Sequence, residues 1–307
     1  MRTDYSPTEV MDRESRSNRY YRNAVERHWD PAEIELDADR ENLLAWAESH
    51  GEEARFMELK DGLAKFGAGE EAVTEDLAPL GVVLEDIDDQ MFLTTQLYEE
   101  AKHADFFERY WSEVVRYVED EMGWENTSPK DDRWFNEPYV ELFDRNRKAM
   151  HRLLEDGGDT PENRAKAYCH YHLTIEGILA QTGYYGMQTS YGGGFEALPH
   201  LPGLVEGFSN IRSDEGRHVG FGMSQLKSLI ADGLDPSIID DTVNELMPLV
   251  NGITGDQQYD DSEAVGVGPD RLAEYAIDKH AERMEQIKDA ARDIPDVDDL
   301  VRLESDD

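Results

Sequence analysis

Two Glu-x-x-His tetrads are the residues of this chain best suited to chemistry: Glu100-Ala-Lys-His103 and Glu215-Gly-Arg-His218. On an α-helix, a residue and its third successor share a face and lie about 5–6 Å apart between Cβ atoms. A carboxylate and an imidazole at that spacing can bind one metal ion from a single helix. A lone glutamate precedes each tetrad on a separate helix-forming segment. The pattern predicts a dinuclear metal site with these ligands: Glu70, Glu100, His103, Glu176, Glu215 and His218.

The order of these residues is more informative than the tetrads alone, because glutamate is so common here that one Glu-x-x-His is expected by chance. Lone glutamate, tetrad, lone glutamate and tetrad is the order required by a four-helix bundle with a carboxylate-bridged dimetal site. Four carboxylates also balance two divalent cations, which lowers the cost of burying the cluster. We therefore predict an all-α protein, a ferritin-like four-helix bundle with extra helices.

Helical periodicity begins near Asp39 and continues to about Arg292, with no strand signals. We predict an N-terminal arm over 1–40, one helical domain over 41–292 and an acidic tail over 293–307. The bundle helices are expected at about 52–79, 86–122, 160–191 and 202–232, an auxiliary helix between 123 and 158, and two more helices at about 236–252 and 269–292. Thr160-Pro161 is a strong helix start, since it combines a capping hydroxyl with proline at the first helical position.

Charge excludes several kinds of partner. Asp and Glu number 69 against 30 Lys and Arg, a formal net charge of −39. Such a surface repels nucleic acid and acidic membrane leaflets. The acidity is spread along the whole chain, which favours a halophile, and we expect a halophilic archaeon. A lone cysteine, Cys169, and the lack of a signal peptide or an 18-residue apolar run predict a cytoplasmic protein without membrane insertion.

The local sequences around the predicted ligands resemble one family. They are Gly69-Glu-Glu-Ala-Val-Thr-Glu-Asp76, Glu99-Glu-Ala-Lys-His103, Glu176-Gly-Ile-Leu-Ala-Gln-Thr-Gly-Tyr-Tyr185, Asp214-Glu-Gly-Arg-His218 and Trp29-Asp30-Pro31. Over roughly residues 28–255, the chain resembles the ligand-binding oxidases of the ribonucleotide reductase small-subunit superfamily.

The resemblance implies one manganese and one iron ion, with di-iron as the other possibility, held by the same six residues. It selects Glu70 over the adjacent Glu71, which we expect to point elsewhere. It also implies a bound long-chain fatty acid whose carboxylate reaches the metals, a homodimer, O2 as oxidant and an external electron donor. The expected activity is two-electron oxidation of a C–H bond. Asp214, beside Glu215, is expected either to support a metal ligand or to lie on a solvated helix face.

The family's signature product is an ether cross-link between a valine and a tyrosine, which correspond here to Val73 and Tyr171. Val73 follows Glu70 by three residues and shares its face. Tyr171 precedes Glu176 by five residues, about 140° away on a regular helix. A π-bulge or similar distortion is therefore required if both are to face the metals. Otherwise Tyr171 is a buried tyrosine with a hydrogen-bonded hydroxyl.

Three alternatives share parts of this pattern. In a ribonucleotide reductase small subunit, a radical-storing tyrosine usually occupies the position of Phe107, and the radical relay needs an aromatic residue in the tail, whereas none follows Tyr275. A di-iron acyl desaturase or oxygenase shares Asp-Glu-x-Arg-His but not the segment around Glu70. A metal or fatty-acid carrier would bind the acid without consuming O2.

Overall fold

The computed structural model describes residues 11–51, 54–255, 266–289 and 293–302, and within these ranges it contains helices and no strand. The predicted all-α, ferritin-like fold is confirmed. The first elements are α1 (Arg16–Glu26), α2 (Asp37–His50), α3 (Ala54–Asp76), α4 (Ala78–Val83), α5 (Ile87–Tyr110), a π turn (Trp111–Val115) and α6 (Arg116–Met122). They are followed by α7 (Glu137–Arg152), α8 (Pro161–Tyr168), a π segment (Cys169–Ala180), α9 (Gln181–Tyr191), α10 (Pro202–Ala231), α11 (Ser237–Thr254), α12 (Pro269–Lys288) and α13 (Val297–Leu300).

Four helical rods form the bundle that carries the predicted ligands. They are α3, α5, the continuous run from α8 through the π segment to α9, and α10. The Thr160 hydroxyl accepts a hydrogen bond from the Asn163 N–H at 3.2 Å, so α8 begins where the sequence predicted. Asp86 caps α5 in the same way, accepting from the Asp88 N–H at 2.7 Å. Both caps satisfy N–H groups that have no partner inside the helix.

The π segment is the distortion that the spacing of Tyr171 and Glu176 required. Its wider turn, with i→i+5 bonding, places these two residues on one side of the rod. The Thr174 hydroxyl donates to the Cys169 carbonyl at 2.8 Å, five residues earlier. Tyr171, Thr174 and Glu176 are all buried. The condition that the sequence analysis set for Tyr171 and Glu176 to face one site, a departure from α-geometry, is therefore met in the structure.

Aromatic packing positions the bundle helices around the site. Phe66 on α3 stacks on Phe107 of α5 and on Tyr184 of α9, with ring centroids 5.5 and 5.3 Å apart. Gly207 on α10 allows the ring of Phe106 to lie directly against the helix backbone, because a Cβ there would collide with that ring. The helices therefore approach closely enough for their inward side chains to meet.

The segment predicted as an arm contributes a helix that packs on the bundle. α1 lies against α5 and α10. Among the described residues, no helix has the combination of length and apolar composition needed to cross a bilayer.

Candidate metal centre

The structure brings all six predicted ligands together in two overlapping groups. One comprises Glu70, Glu100, His103 and Glu215, and the other Glu100, Glu176, Glu215 and His218. Within each group, one potential ligand atom per residue lies within 4.8 Å of the others, and every residue is buried. Glu100 and Glu215 belong to both groups, so each would be within reach of both ions. The helices supply these residues in the predicted order: α3, α5, the π segment and α10.

Both histidines turn the same ring nitrogen toward the carboxylates. His103 Nδ1 lies 3.5 Å from an oxygen of Glu70 and 3.6 Å from one of Glu215. His218 Nδ1 lies 3.1 Å from oxygens of Glu100 and Glu176. The Nε2 atoms face the opposite way, toward other acceptors. Nδ1 is therefore the nitrogen available to a metal in each half of the site.

Unsatisfied atoms show that the residues fit two cations. Glu100 Oε2, His103 Nδ1, Glu176 Oε2 and Glu215 Oε2 are buried and make no hydrogen bond. A buried polar atom without a partner costs about 1–3 kcal/mol. Here four such atoms point into one cluster, and metal coordination would satisfy all of them. Carboxylate oxygen and imidazole nitrogen are donors that suit manganese and iron.

The electrostatics of the cluster follow from the burial of several carboxylates side by side. Burial, with smaller contributions from the charges of Glu100 and Glu215, raises the pKa of Glu70 to about 8 against the opposing effect of His103. Burial also raises the pKa of Glu176, again with help from Glu215. Burial opposes ionisation of Glu100 too, but the charges and hydrogen bonds of His218 and His103 together outweigh it and hold that pKa well below its usual range. Glu70 and Glu176 therefore hold their protons more firmly than exposed carboxylates do, whereas Glu100 does not.

The two histidines are protonated for the same reason. Burial lowers their pKa values, but neighbouring carboxylates reverse this effect and raise both well above the usual range. For His103 the main partner is Asp214, and for His218 it is Glu100.

A second layer of carboxylates holds the histidines in a crossed arrangement. His103 on α5 makes an Nε2 hydrogen bond at 3.1 Å with Asp214, which comes from α10. His218 on α10 makes one at 2.8 Å with Glu99, which comes from α5. Arg217 donates to both carboxylates. Each tetrad is thus preceded by the carboxylate that orients the other tetrad's histidine.

This arrangement decides between the two expectations for Asp214, and it gives Glu99 a role in the site. Asp214 is 1% exposed, so it supports a ligand rather than lying on a solvated face. The sequence analysis gave Glu99 no role. Its signal was its position, since Glu99 precedes Glu100 as Asp214 precedes Glu215.

The remaining polar neighbours also have defined places. Glu71 is exposed and pairs with Lys130 at 3.0 Å, so it points away from the site as expected. Gln96 donates to Glu176 at 3.0 Å and in turn contacts His172 Nε2 at 3.3 Å. Burial lowers the pKa of His172 to about 3, so this ring is neutral.

Tyr171 and Val73 both reach the site. The Tyr171 hydroxyl donates to Glu100 Oε1 at 2.7 Å, and Tyr171 is completely buried. Val73 is 3% exposed and lines the same cavity as Tyr171 and four of the predicted ligands. The hydrogen-bonded hydroxyl expected of a buried tyrosine is present, and its acceptor, Glu100, is one of the predicted ligands.

This cavity has a volume of about 290 Å³ and begins at Glu70, Glu100, Glu176 and Glu215. Its apolar wall is formed by Phe66, Phe143, Ile175, Leu179, Met187 and Leu272. It follows α3 as far as Arg55. Arg55 and Glu70 are fifteen residues apart, which corresponds to about 22 Å of helix.

Comparison with solved structures identifies the superfamily. No protein-family model matches the sequence. An R2-like ligand-binding oxidase with an aerobically reconstituted Mn/Fe cofactor is 28% identical, with a TM-score of 0.76 over 92% of this chain and 96% of that one. The chain belongs to the ribonucleotide reductase small-subunit-like superfamily.

Two further members of this superfamily are similar to the chain to the same degree. One is a tyrosine-to-phenylalanine variant of an R2-like ligand-binding oxidase with an anaerobically reconstituted Mn/Fe cofactor, at 28% identity and a TM-score of 0.76 over 92% of this chain and 97% of that one. The other is a glycine-to-leucine variant that contains a non-activated Mn/Mn cofactor after aerobic reconstitution with Mn and Fe. It is 28% identical, with a TM-score of 0.74 over 91% of this chain and 95% of that one.

Phe107 occupies the position at which the sequence analysis expects a tyrosine in a radical-storing small subunit. Its ring packs with its centroid 5.5 Å from those of both Phe66 and Phe208. It is 3% exposed and carries no hydroxyl to oxidise.

Proposed function

We propose that the protein is an oxygen-dependent oxidase with a dinuclear manganese–iron centre. The observation that carries this proposal is the pair of overlapping, fully buried ligand groups with four unsatisfied donor atoms. The similarity to R2-like ligand-binding oxidases with Mn/Fe cofactors supports the identity of the ions. The types of the six predicted ligands would by themselves favour iron over manganese.

Six side chains would hold the ions: Glu70, Glu100, His103, Glu176, Glu215 and His218. When bound, the two ions would supply reduction of O2 and oxidation of a C–H bond. The chain supplies the geometry around them. Asp214 and Glu99 accept from the Nε2–H groups of the histidines, which fixes the tautomer and leaves Nδ1 free to coordinate.

The cavity supports a long-chain fatty acid as the bound ligand. A carboxylate at the inner end would face the metal ligands, and the apolar wall would enclose an acyl chain. Pockets that bury small ligands have mostly apolar walls and a few polar groups. In this cavity the charged groups are the carboxylates at the inner end and, farther along α3, Arg55, Glu58, Asp61 and Lys65. The buried acyl chain would also exclude water from the metal centre.

The oxidation would also form an ether bond between the side chains of Val73 and Tyr171. A C–H bond of Val73 and the O–H bond of Tyr171 break, and a C–O bond forms. Two protons and two electrons leave, and O2 accepts them. Burial raises the pKa of Tyr171, so the phenol keeps its proton until the phenol is oxidised. Glu100 accepts the hydrogen bond of the phenol at 2.7 Å and would receive the proton as the electron leaves.

Metal content and oxygen uptake test the proposal. The protein is loaded with Mn(II) and Fe(II) without oxygen, freed of excess metal and then exposed to air. We expect about two ions per chain and consumption of O2. Glu70→Gln should lose ions and oxygen uptake, whereas Glu71→Gln, one residue away but exposed, should retain both. Wild-type protein that binds no metal, or binds it without consuming O2, would contradict the proposal; the second result fits a fatty-acid carrier.

A homodimer and an external electron donor remain predictions.

A further inference from the structure

The two carboxylates that orient the histidines differ in how many groups compete for them. Asp214 accepts from Trp29 Nε1 at 2.8 Å and from Lys102 Nζ at 2.7 Å. It accepts from Arg217 as well, in addition to contacting His103 Nε2 at 3.1 Å. Three donors other than the histidine therefore share this carboxylate, and two of them are cations.

Glu99 is shared by fewer groups. Within the part of the chain that the structure describes, Arg217 and His218 are its hydrogen-bond donors. The His218 contact is the shorter of the two histidine bonds, at 2.8 Å. Because Arg217 donates to both carboxylates, it does not distinguish the two halves. The difference lies in Lys102 and Trp29.

This difference has a consequence for the metals. A carboxylate that accepts from a histidine N–H increases the basicity of the ring and strengthens the bond from its other nitrogen to a metal. Competing donors weaken that effect, because they withdraw electron density from the same oxygens. Lys102 also places a positive charge beside His103, where it opposes binding of a cation. Both effects act on the half that contains His103.

We propose that Lys102, assisted by Trp29, makes the two metal subsites unequal, so that the subsite of His218 binds a divalent ion more tightly than the subsite of His103. This inference rests on the proposed dimetal function. Lys102 acts through Asp214 and is a positioning residue. The Lys102 ammonium also lies 4.5 Å from the centre of the Trp29 ring, which holds it at the carboxylate.

Anomalous X-ray diffraction tests the inference, with Mn(II) alone as the probe. Crystals of the full chain are prepared without oxygen with one equivalent of Mn(II) per chain, and the occupancy of each subsite is measured at the manganese edge. We expect a wild-type occupancy ratio of about ten to one in favour of the His218 subsite, the size of effect typical of outer-shell changes.

Two variants should lower this ratio by different routes. Lys102→Met keeps an unbranched side chain against the Trp29 ring but removes the charge, so it should tighten the His103 subsite and bring the ratio near one. Glu99→Gln should also lower the ratio, but by weakening the His218 subsite. Total affinity for the first ion should therefore hold or rise in Lys102→Met and fall in Glu99→Gln. Lys102→Arg, which keeps the positive charge, should retain the wild-type occupancy ratio.

A purely structural role would not move the ratio in this way. Equal occupancy in the wild type, an excess at the His103 subsite, or an unchanged ratio in Lys102→Met would overturn this inference while leaving a dimetal protein. Absence of Mn(II) from both wild-type subsites would overturn the proposed function as well.

Discussion

The Tyr171 hydroxyl donates a hydrogen bond of 2.7 Å to Glu100, which belongs to both ligand groups. This contact joins the π segment to α5 at the centre of the site. It depends on the wide helical turn between Tyr171 and Glu176, which lets a tyrosine and a ligand from one rod reach the same cluster. A regular α-helix would direct the two side chains apart.

Tyr171→Phe should abolish the cross-link without removing the metals. The substitution deletes the oxygen that the ether bond requires, while all six ligands remain. Tyr184→Phe is the matched control, because Tyr184 is equally buried and donates to Glu215 at 3.2 Å but is not the proposed partner of Val73. Peptide mass spectrometry after aerobic metal loading should find the cross-link in Tyr184→Phe and in wild type only. A cross-linked product in Tyr171→Phe would contradict the assignment.

Gly62→Leu should block ligand binding while sparing the metal site. A side chain at Gly62 would grow into the cavity beside Met187, since even its Cβ would lie 3.4 Å from the Met187 sulfur. The position is two turns from Glu70 along α3. We expect retention of added palmitate, measured by mass spectrometry of an organic extract, to fall at least about tenfold, equivalent to about 1.4 kcal/mol. Gly62→Ala, which adds only that Cβ, serves as the control. Undiminished palmitate in Gly62→Leu would place the ligand elsewhere.

Metal affinity should rise with pH, because ions must displace protons. In the metal-free protein the pKa of Glu70 is raised to about 8, and those of Glu176, His103 and His218 are also raised. Calorimetric titration in buffers of different ionisation enthalpy should show proton release on binding that diminishes above about pH 8. Affinity that is constant from pH 6 to 9 would contradict these protonation states.

The same groups give the metal-free protein a pH-dependent stability. Between the ordinary Glu value of 4.5 and about 8, folded Glu70 holds a proton that the unfolded chain has lost. Its contribution to the free energy of unfolding therefore falls as pH rises through that window. Metal-loaded protein should lack this loss, which denaturant unfolding at constant ionic strength would detect.

Lys60→Met should destabilise the bundle severely. Lys60 on α3 and Glu119 on α6 form a completely buried ion pair at 3.2 Å. Removing one member leaves a buried charge uncompensated, at a cost of about 3–5 kcal/mol. The control is Lys166→Met, whose half-exposed pair with Glu162 should contribute less than about 1 kcal/mol. Denaturant unfolding measures both, and equal effects would contradict the importance of burial.

The fold and the ligand cluster were accessible from sequence because local rules determine them. Spacing on one helix places Glu100 beside His103, and Thr160-Pro161 marks a helix start wherever the chain later packs. The distortion at Glu176 could be anticipated only through the family resemblance, which places Tyr171 at the same site although its spacing from Glu176 does not fit a regular helix.

Other features depend on contacts between distant residues. The role of Glu99 requires its partner His218, which is 119 residues away. Residue types alone do not predict that the Lys60–Glu119 pair is buried, because lysine and glutamate are usually solvated. Local spacing also gives no measure of the competition for Asp214, since Trp29 and Lys102 reach it from two other parts of the chain.

The most direct test of the oxidase is intact-protein and peptide mass spectrometry on protein loaded with Mn(II) and Fe(II), before and after exposure to air. We predict the loss of two hydrogens, mapped to joined peptides that contain Val73 and Tyr171. An unchanged mass with both metals bound and O2 consumed would contradict the cross-link and indicate an external substrate or a stored radical. Protein that binds neither metal and consumes no O2 would contradict the dimetal oxidase itself.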